Sequence, residues 1–218
     1  MSQIKLVHSG GNGVIISAPS SNPASDVNLK LPQADGSANE FLKTDGSGNL
    51  SFSAVSAGIT MVDTWRLITQ YINAQGTLGG TSDWERDDTY GNGLLGTGMT
   101  QANGYFTFPS TGFYSVKFYG HHSMSYSNGR SITGQLIYTP DNFSSTEFAA
   151  YYTVNCTGDS GTVIHGSGSL EKIFDITDTS NQKVKFAVGV AQNGSAMRTT
   201  VDTNTNRTYA IFTRLGDT

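Results

Sequence analysis

A single cysteine, Cys156, stands in 218 residues, so neither an intrachain disulfide nor a cysteine-based metal cluster is available. Cys156 is expected as an ordinary half-buried strand residue rather than a reactive thiol. Charge is also sparse, at 14% of residues, which disfavours long surface helices, because their solvent faces normally carry Lys, Glu and Arg. Thirteen basic residues against seventeen acidic give a net charge of -4, and the basic ones are scattered. Neutralising several phosphates needs Lys and Arg clustered on one face, so nucleic acid is excluded as a partner. No long hydrophobic run exists; "GVII" and "KFAVGVA" are too short to cross a bilayer as helices, so membrane insertion is not expected. "MSQIKLVHSGG" lacks the basic-then-apolar layout of a secretion signal, and the chain is expected to be soluble and unprocessed. The N-glycosylation sequons at Asn142, Asn155, Asn193 and Asn206 are accordingly expected to be bare.

What the chain has instead is glycine, 26 residues of it, and aromatics at 11%. That mixture favours turns and strands. Residues 1–58 intersperse short apolar snatches (Val14, Ile15 and Ile16; Leu29 and Leu31; Phe41 and Leu42; Leu50 and Phe52) with Gly, Ser, Asn and Pro. None closes a core alone. The segment is either a flexible arm or one that orders against other chains, and the recurrence of apolar residues favours partial ordering. "KTDGSGNLSF" predicts a short hairpin, with Asp45-Gly46 and Gly48-Asn49 supplying the turn.

Residues 61–75, "MVDTWRLITQYINAQ", place Trp65, Ile68 and Ile72 at helical spacing, yet their Thr, Trp and Ile content favours a strand. The Gly-rich stretch 76–103 follows. Beyond it come seven strand-like runs, "GYFTFP", "GFYSVKFYGHHSMSY", "RSITGQLIYTP", "TEFAAYYTVNCTG", "GTVIHGSGSLEKIFDIT", "QKVKFAVGVAQ" and "RTYAIFTRLG", at the spacing of an all-β sandwich. With the segment near residue 65 they give about eight strands, enough for a jelly roll of two packed sheets.

In "FTFPSTGFYSVKF", period-two alternation puts Phe106 and Phe108 on one strand face and Tyr114, Val116 and Phe118 on one face of the next; Pro109 ends the first strand and Gly112 frees the connection. This stretch resembles the signature of the globular domain shared by complement C1q and the tumour necrosis factor superfamily, with Phe106, Phe108, Pro109, Gly112, Tyr114 and Phe118 as the matching residues. "GSGSLEKIFDITDTSNQKVKFAV" and "TYAIFTRLGD" extend the likeness over about residues 60–217. The resemblance implies a ten-stranded jelly roll forming a tight homotrimer, with the extra strands falling in 76–103.

"LPQADGSANEFLKTDGSGNLSF" resembles a short module of bacteriophage virion proteins, carried here by Leu31, Pro32, Gly36, Leu42, Asp45, Gly46, Gly48, Leu50 and Phe52. It implies a virion location. Residues 1–58 would then be an anchoring and trimerisation arm, with Val14, Ile15, Ile16, Leu29, Leu31, Leu42, Leu50 and Phe52 as its contacts, and residues 59–218 a C1q-like knob. The partners implied are major capsid or tail proteins; in the alternative, a tail-fibre adhesin, the knob binds a host-surface glycan.

Four groups bear on chemistry. "SDWERDD" offers Asp83, Glu85, Asp87 and Asp88, either as oxygen ligands for calcium or as a solvated acidic loop, though the spacing is not that of a helix-loop-helix calcium site. C1q-like relatives imply calcium near the trimer axis, without a residue assignment. His121 and His122 face opposite ways along a strand and are poor joint ligands unless one of them gathers around a three-fold axis. Asp175, Asp178, Glu147 and Glu171 lack a visible cleft for paired-acid hydrolysis, and "GDSG" at 158–161 and "GTGMT" lack the setting of a serine nucleophile. Tyr90, Tyr126, Tyr138, Tyr151, Tyr152 and Trp84 can stack on sugars or fill interfaces, with one of Tyr151 and Tyr152 expected inward and the other against a neighbouring subunit. No enzyme activity and no obligatory cofactor are expected.

Overall fold

The computed structural model describes residues 3–54, 58–72, 76–91, 93–125, 130–156, 163–190 and 197–218. Tyr126, Asn193, the 158–161 run and the side chain of Cys156 lie outside the described residues. The chain divides into two compact units, Met1–Ser56 and Ala57–Thr218.

The first unit is built from two antiparallel hairpins, β1 (Gln3–Val7) with β2 (Gly13–Ser17) and β3 (Glu40–Thr44) with β4 (Leu50–Ala54). The second is the hairpin expected from its turn chemistry. Asp45 makes that turn: its Oδ1 accepts the backbone N–H groups of Ser47 at 2.8 Å and Asn49 at 3.1 Å, while Gly46 and Gly48 hold φ of 80° and 87°. These bonds to the charged form hold the Asp45 carboxyl below its usual value, led by the Asn49 side chain. The strand-like segment before it docks through Lys30, which donates to the Gly48 carbonyl and accepts from Leu50, both at 2.8 Å. A Cβ on Gly48 would come within 2.3 Å of the Asn28 carbonyl, and one on Gly36 within 2.6 Å of the Phe52 ring. Residues 28–54 therefore form one small folded piece. The β1–β2 hairpin went unread in the sequence, because its apolar residues do not alternate: Val14, Ile15 and Ile16 are all exposed.

The second unit is all β. Its strands are β5 (Met61–Leu67), β6 (Tyr71–Ile72), β7 (Gly76–Thr77), β8 (Trp84–Arg86), β9 (Thr100–Ala102), β10 (Tyr105–Thr107), β11 (Gly112–Ser125), β12 (Arg130–Thr139), β13 (Glu147–Cys156), β14 (Val163–Ile176), β15 (Lys183–Val190), β16 (Arg198–Thr199) and β17 (Tyr209–Gly216). In the 61–75 segment, residues 61–67 and 71–72 are strand, as the Thr, Trp and Ile content favours, and 73–75 lie outside the described residues. The additional strands β7, β8 and β9 fall within 76–103.

Two antiparallel sheets face each other. One runs β13-β12-β15-β10-β9, with β7 on β15; in the other β11 is central, flanked by β14 along its whole length and by β17, then β5 and β8, along its first half, with β16 and β6 beyond. Non-sequential neighbours such as β10-β15 and β11-β17 are the crossovers of a jelly roll.

The core lies between the sheets, and the alternation of the opening motif is what fills it. Phe106, Phe108, Tyr114, Val116 and Phe118 are all buried, together with Leu136, Val184, Phe186 and Phe212. Phe106 takes Trp84 edge-on at 5.4 Å and Phe212 at 5.0 Å, while Phe118 stacks on Phe186 at 4.7 Å. Pro109 follows the end of β10. Gly112 holds a φ of 138°, and a Cβ there would sit 2.4 Å from the Gly216 carbonyl, so the connection into β11 requires glycine. A smaller cluster of Met124, Ile132 and Met197 closes one end.

Candidate functional site

Of the four acids read as a possible calcium loop, three converge on a cation of the chain itself. Arg66, on β5, is fully buried; its Nε meets Glu85 at 3.1 Å, Nη1 meets Asp87 at 2.9 Å, and Nη2 meets Asp88 at 2.8 Å. Burial opposes charging of the guanidinium, but the three carboxylates outweigh it and hold its pKa above the ordinary value. Asp83 goes elsewhere, accepting from the Tyr71 hydroxyl at 2.6 Å and from the Gly80 backbone, and burial together with that bond pushes the Tyr71 phenol up to about 12. Among the described residues no group of three or more His, Cys, Asp or Glu side chains could hold a metal ion. The sequence reading missed Arg66, although an arginine inside an apolar strand followed by a run of acids was a usable signal for a buried ion-pair network.

His121 and His122 face opposite ways. His122 is buried, with Nε2 2.7 Å from the Tyr152 hydroxyl and a buried Nδ1 that has no hydrogen-bond partner among the described residues. Burial pushes its pKa down to about 4 and pushes the Tyr152 phenol above its usual value. Tyr152 is the inward member of its pair and lies in a slot made of glycine: a Cβ on Gly120, Gly134 or Gly168 would come within 1.8 to 2.1 Å of its side chain. Isolated glycines inside strand patterns mark such close approaches. His121 is partly exposed and stacks on His165 at 5.4 Å.

The outer face of the β14-β11-β17 sheet is aromatic and apolar as well as polar. Tyr119 and Tyr209 are cross-strand partners stacked at 5.3 Å, Ile211 is half-buried beside them, and Ile173 on β14 and Phe113 on β11 are exposed. Glu171 does not pair with another acid; it accepts from Ser115 Oγ at 2.6 Å. Asp178 caps the turn at Ser180 and Asn181, while Asp175 lies exposed opposite Phe113. Glu147 opens β13 opposite Tyr138. These acids share no cleft.

On one side of the sandwich both sheets end in long strands, β13 of ten residues and β14 of fourteen, each with one strand partner. Tyr151 and Phe148 on β13 are about 70% exposed there, at 71% and 72%. Of the other aromatics, Tyr90 is exposed, Trp84 is buried with its indole N–H donating to the Leu78 carbonyl, and Tyr138 stacks on Phe174. Of the sequon residues, Asn206 is committed to the network around Arg66, donating to Asp87.

No protein-family model matches the chain, and no curated protein matches it. Solved structures do. The crystal structure of murine APRIL at pH 5.0 aligns with a TM-score of 0.50 at 9% identity, over 71% of this chain and 98% of that one. The structure of Eiger TNF from S. frugiperda aligns with a TM-score of 0.51 at 11% identity, over 74% of this chain and 96% of that one. At these identities the likeness is one of fold.

Proposed function

Proceeding from a C1q/TNF-like jelly-roll sandwich, we propose that the protein is a non-enzymatic structural component of a virus particle, presenting its globular unit as a homotrimeric knob. The observation that carries the trimer is the open side of the sandwich. The outer edges of two long strands, β13 and β14, carry no further strand there among the described residues, and Phe148, Tyr151 and Ile173 on them are exposed. Unpaired edges of this length and apolarity are ordinarily covered. The adjoining sheet face, with Tyr119, Tyr209 and Ile211, offers a surface of matching chemistry on a second copy, and a heterologous contact of that kind closes into a three-membered ring when each copy is turned by a third of a circle from the last.

The N-terminal unit supplies the anchor in this reading. Its first hairpin leaves Val14 and Ile16, and the segment between the hairpins leaves Leu29 and Leu31, more than 60% exposed, and two-stranded hairpins are marginal in water until something covers them. The virion assignment rests on the resemblance of the Leu31–Phe52 residues to a phage module, and capsid or tail proteins are the partners it implies. A second reading, attachment to a host glycan, is favoured by half-exposed aromatic rings on the β13-β12-β15-β10-β9 sheet beside lysines that have no carboxylate partner among the described residues.

Ile173→Asp tests the trimer. Ile173 is 58% exposed in the single chain, so the substitution leaves the fold intact and charges the contact. By solution mass at micromolar concentration the parent chain is expected as a trimer and the variant as a monomer; a monomeric parent chain sinks the proposal. Electron microscopy of the particle carrying the protein tests the location, by whether three-fold density stands on its surface.

A further inference from the structure

The loop from β12 to β13 carries two consecutive residues in left-handed conformation, Asn142 at φ 56° and Phe143 at φ 68°. Asparagine tolerates that region; a bulky aromatic residue there is an outlier that must be held in place. Three contacts hold it. The Phe143 N–H donates to Thr139 Oγ1 at 2.7 Å, the Asn142 N–H donates to the Asn181 carbonyl at 2.9 Å, and the ring lies 4.4 Å from that of Tyr105 at a tilt of 31°. Lys185 Nζ stands over both rings, 4.6 Å from the centre of Phe143 and 5.4 Å from that of Tyr105.

Lys183 lies on the same face of β15, two residues away and so about 7 Å along the strand, and donates to Asn142 Oδ1. Neither lysine has a carboxylate within ion-pair distance among the described residues, although the protein has more acids than bases. The Asn142 amide nitrogen likewise makes no hydrogen bond among the described residues. Tyr105, Phe143, Lys183 and Lys185 are all half-exposed. A strained aromatic residue, two ammonium groups with no carboxylate partner among the described residues and an amide N–H donor thus meet on one patch of the β13-β12-β15-β10-β9 sheet.

We infer that this patch is a binding site for an acidic sugar, a uronate unit of a polysaccharide. The aliphatic C–H face of the pyranose lies on the side of the Phe143 ring turned away from Tyr105, which backs it; its carboxylate meets Lys185 or Lys183, and the Asn142 amide donates to a ring hydroxyl. Strain held at an exposed position is characteristic of ligand sites, where the cost is met by the surrounding contacts. The inference rests on the second reading above, in which the globular unit meets a host glycan, and it supplies that reading with residues and a ligand class.

The test is calorimetric titration of the full-length protein with oligogalacturonate, with a neutral malto-oligosaccharide and with an oligoglutamate peptide of similar charge. Only the oligogalacturonate is expected to bind. Phe143→Gly removes the ring and at the same time gives the backbone a residue suited to φ 68°, so the fold is retained; it is expected to weaken binding at least tenfold without lowering Tm. Lys185→Gln is expected to weaken it to a similar degree, with the loss mirrored by added salt in the parent protein, while Tyr90→Ser, on an exposed tyrosine outside the patch, leaves it unchanged. Binding of the peptide as tight as that of the sugar, equal binding of the neutral sugar, or binding indifferent to Phe143→Gly overturns the inference. Solution mass is measured on the same sample: a trimer that takes no sugar refutes the site and leaves the structural reading standing, and a monomer that binds does the reverse.

Discussion

Acid should loosen this fold through His122, and the effect has a calculable size. The imidazole is buried, and burial lowers its pKa from 6.5 to about 4, with the charge of His121 adding to the effect. A depressed histidine pKa means that the unfolded chain takes up the proton first as pH falls. Stability from this group is therefore complete above about pH 6.5 and is lost as pH falls toward 4. At about 1.4 kcal/mol per unit, the loss is about 2 kcal/mol between pH 7.5 and 5.0 and about 3 kcal/mol over the whole window. His122→Gln isolates it, since a glutamine amide reaches the place of Nε2, keeps a hydrogen bond with the Tyr152 hydroxyl and does not titrate. Urea unfolding of both proteins at fixed protein concentration, at pH 7.5 and at pH 5.0, gives two differences. The parent protein is expected to lose about 2 kcal/mol more than the variant. His121, whose pKa is also depressed by burial, His165 and Arg207, contributes to both proteins and cancels. Superimposable pH dependences would refute the assignment of acid sensitivity to the buried imidazole.

Other consequences are open to the same kind of test. Arg66→Met leaves the buried Asp87 without its cation and is expected to cost about 3–5 kcal/mol, read by denaturant titration. Gly168→Ala drives a methyl to 2.1 Å from Tyr152 and is expected to cost about 1–3 kcal/mol, whereas in a Tyr152→Ala background the same change is nearly neutral; equal costs in the two backgrounds would contradict the slot. Gly112→Ala meets both a forbidden φ and the Gly216 carbonyl at 2.4 Å, and a lowered Tm is the expected reading, with no recovery in any larger residue.

The sandwich was legible because its core obeys period two. Phe106 and Phe108, then Tyr114, Val116 and Phe118, announce two buried faces, and the structure fills the core with those side chains. The β3–β4 turn was legible for a different reason, since Asp45, Gly46 and Gly48 are the residues such a turn demands. Arg66 was legible only in part: an arginine in an apolar strand with acids downstream is a signal, but those acids lie 19 to 22 positions away and only the fold brings them onto the guanidinium. The Phe143 patch was hidden: Tyr105, Phe143 and Lys185 come from three separate runs, and only the pairing of β10 with β15 brings two of them side by side. Nor does residue type disclose a left-handed phenylalanine, which its neighbours impose.

The slot that receives Tyr152 also constrains how this sequence can drift over generations. Gly120, Gly134 and Gly168 sit on three different strands, yet each is held by the same ring. While the tyrosine stands, a side chain at any one of the three is rejected, and no change at another glycine relieves it. Exchange of the aromatic for something small must come first, after which Gly134 and Gly168 open together, Gly120 stays closed by His122 Nε2 at 2.7 Å from its Cβ position, and the return path closes once either open position is filled. Lineages that keep the ring should therefore keep the whole trio, and those that have lost it should vary freely at 134 and 168 while holding glycine at 120 for as long as His122 stands.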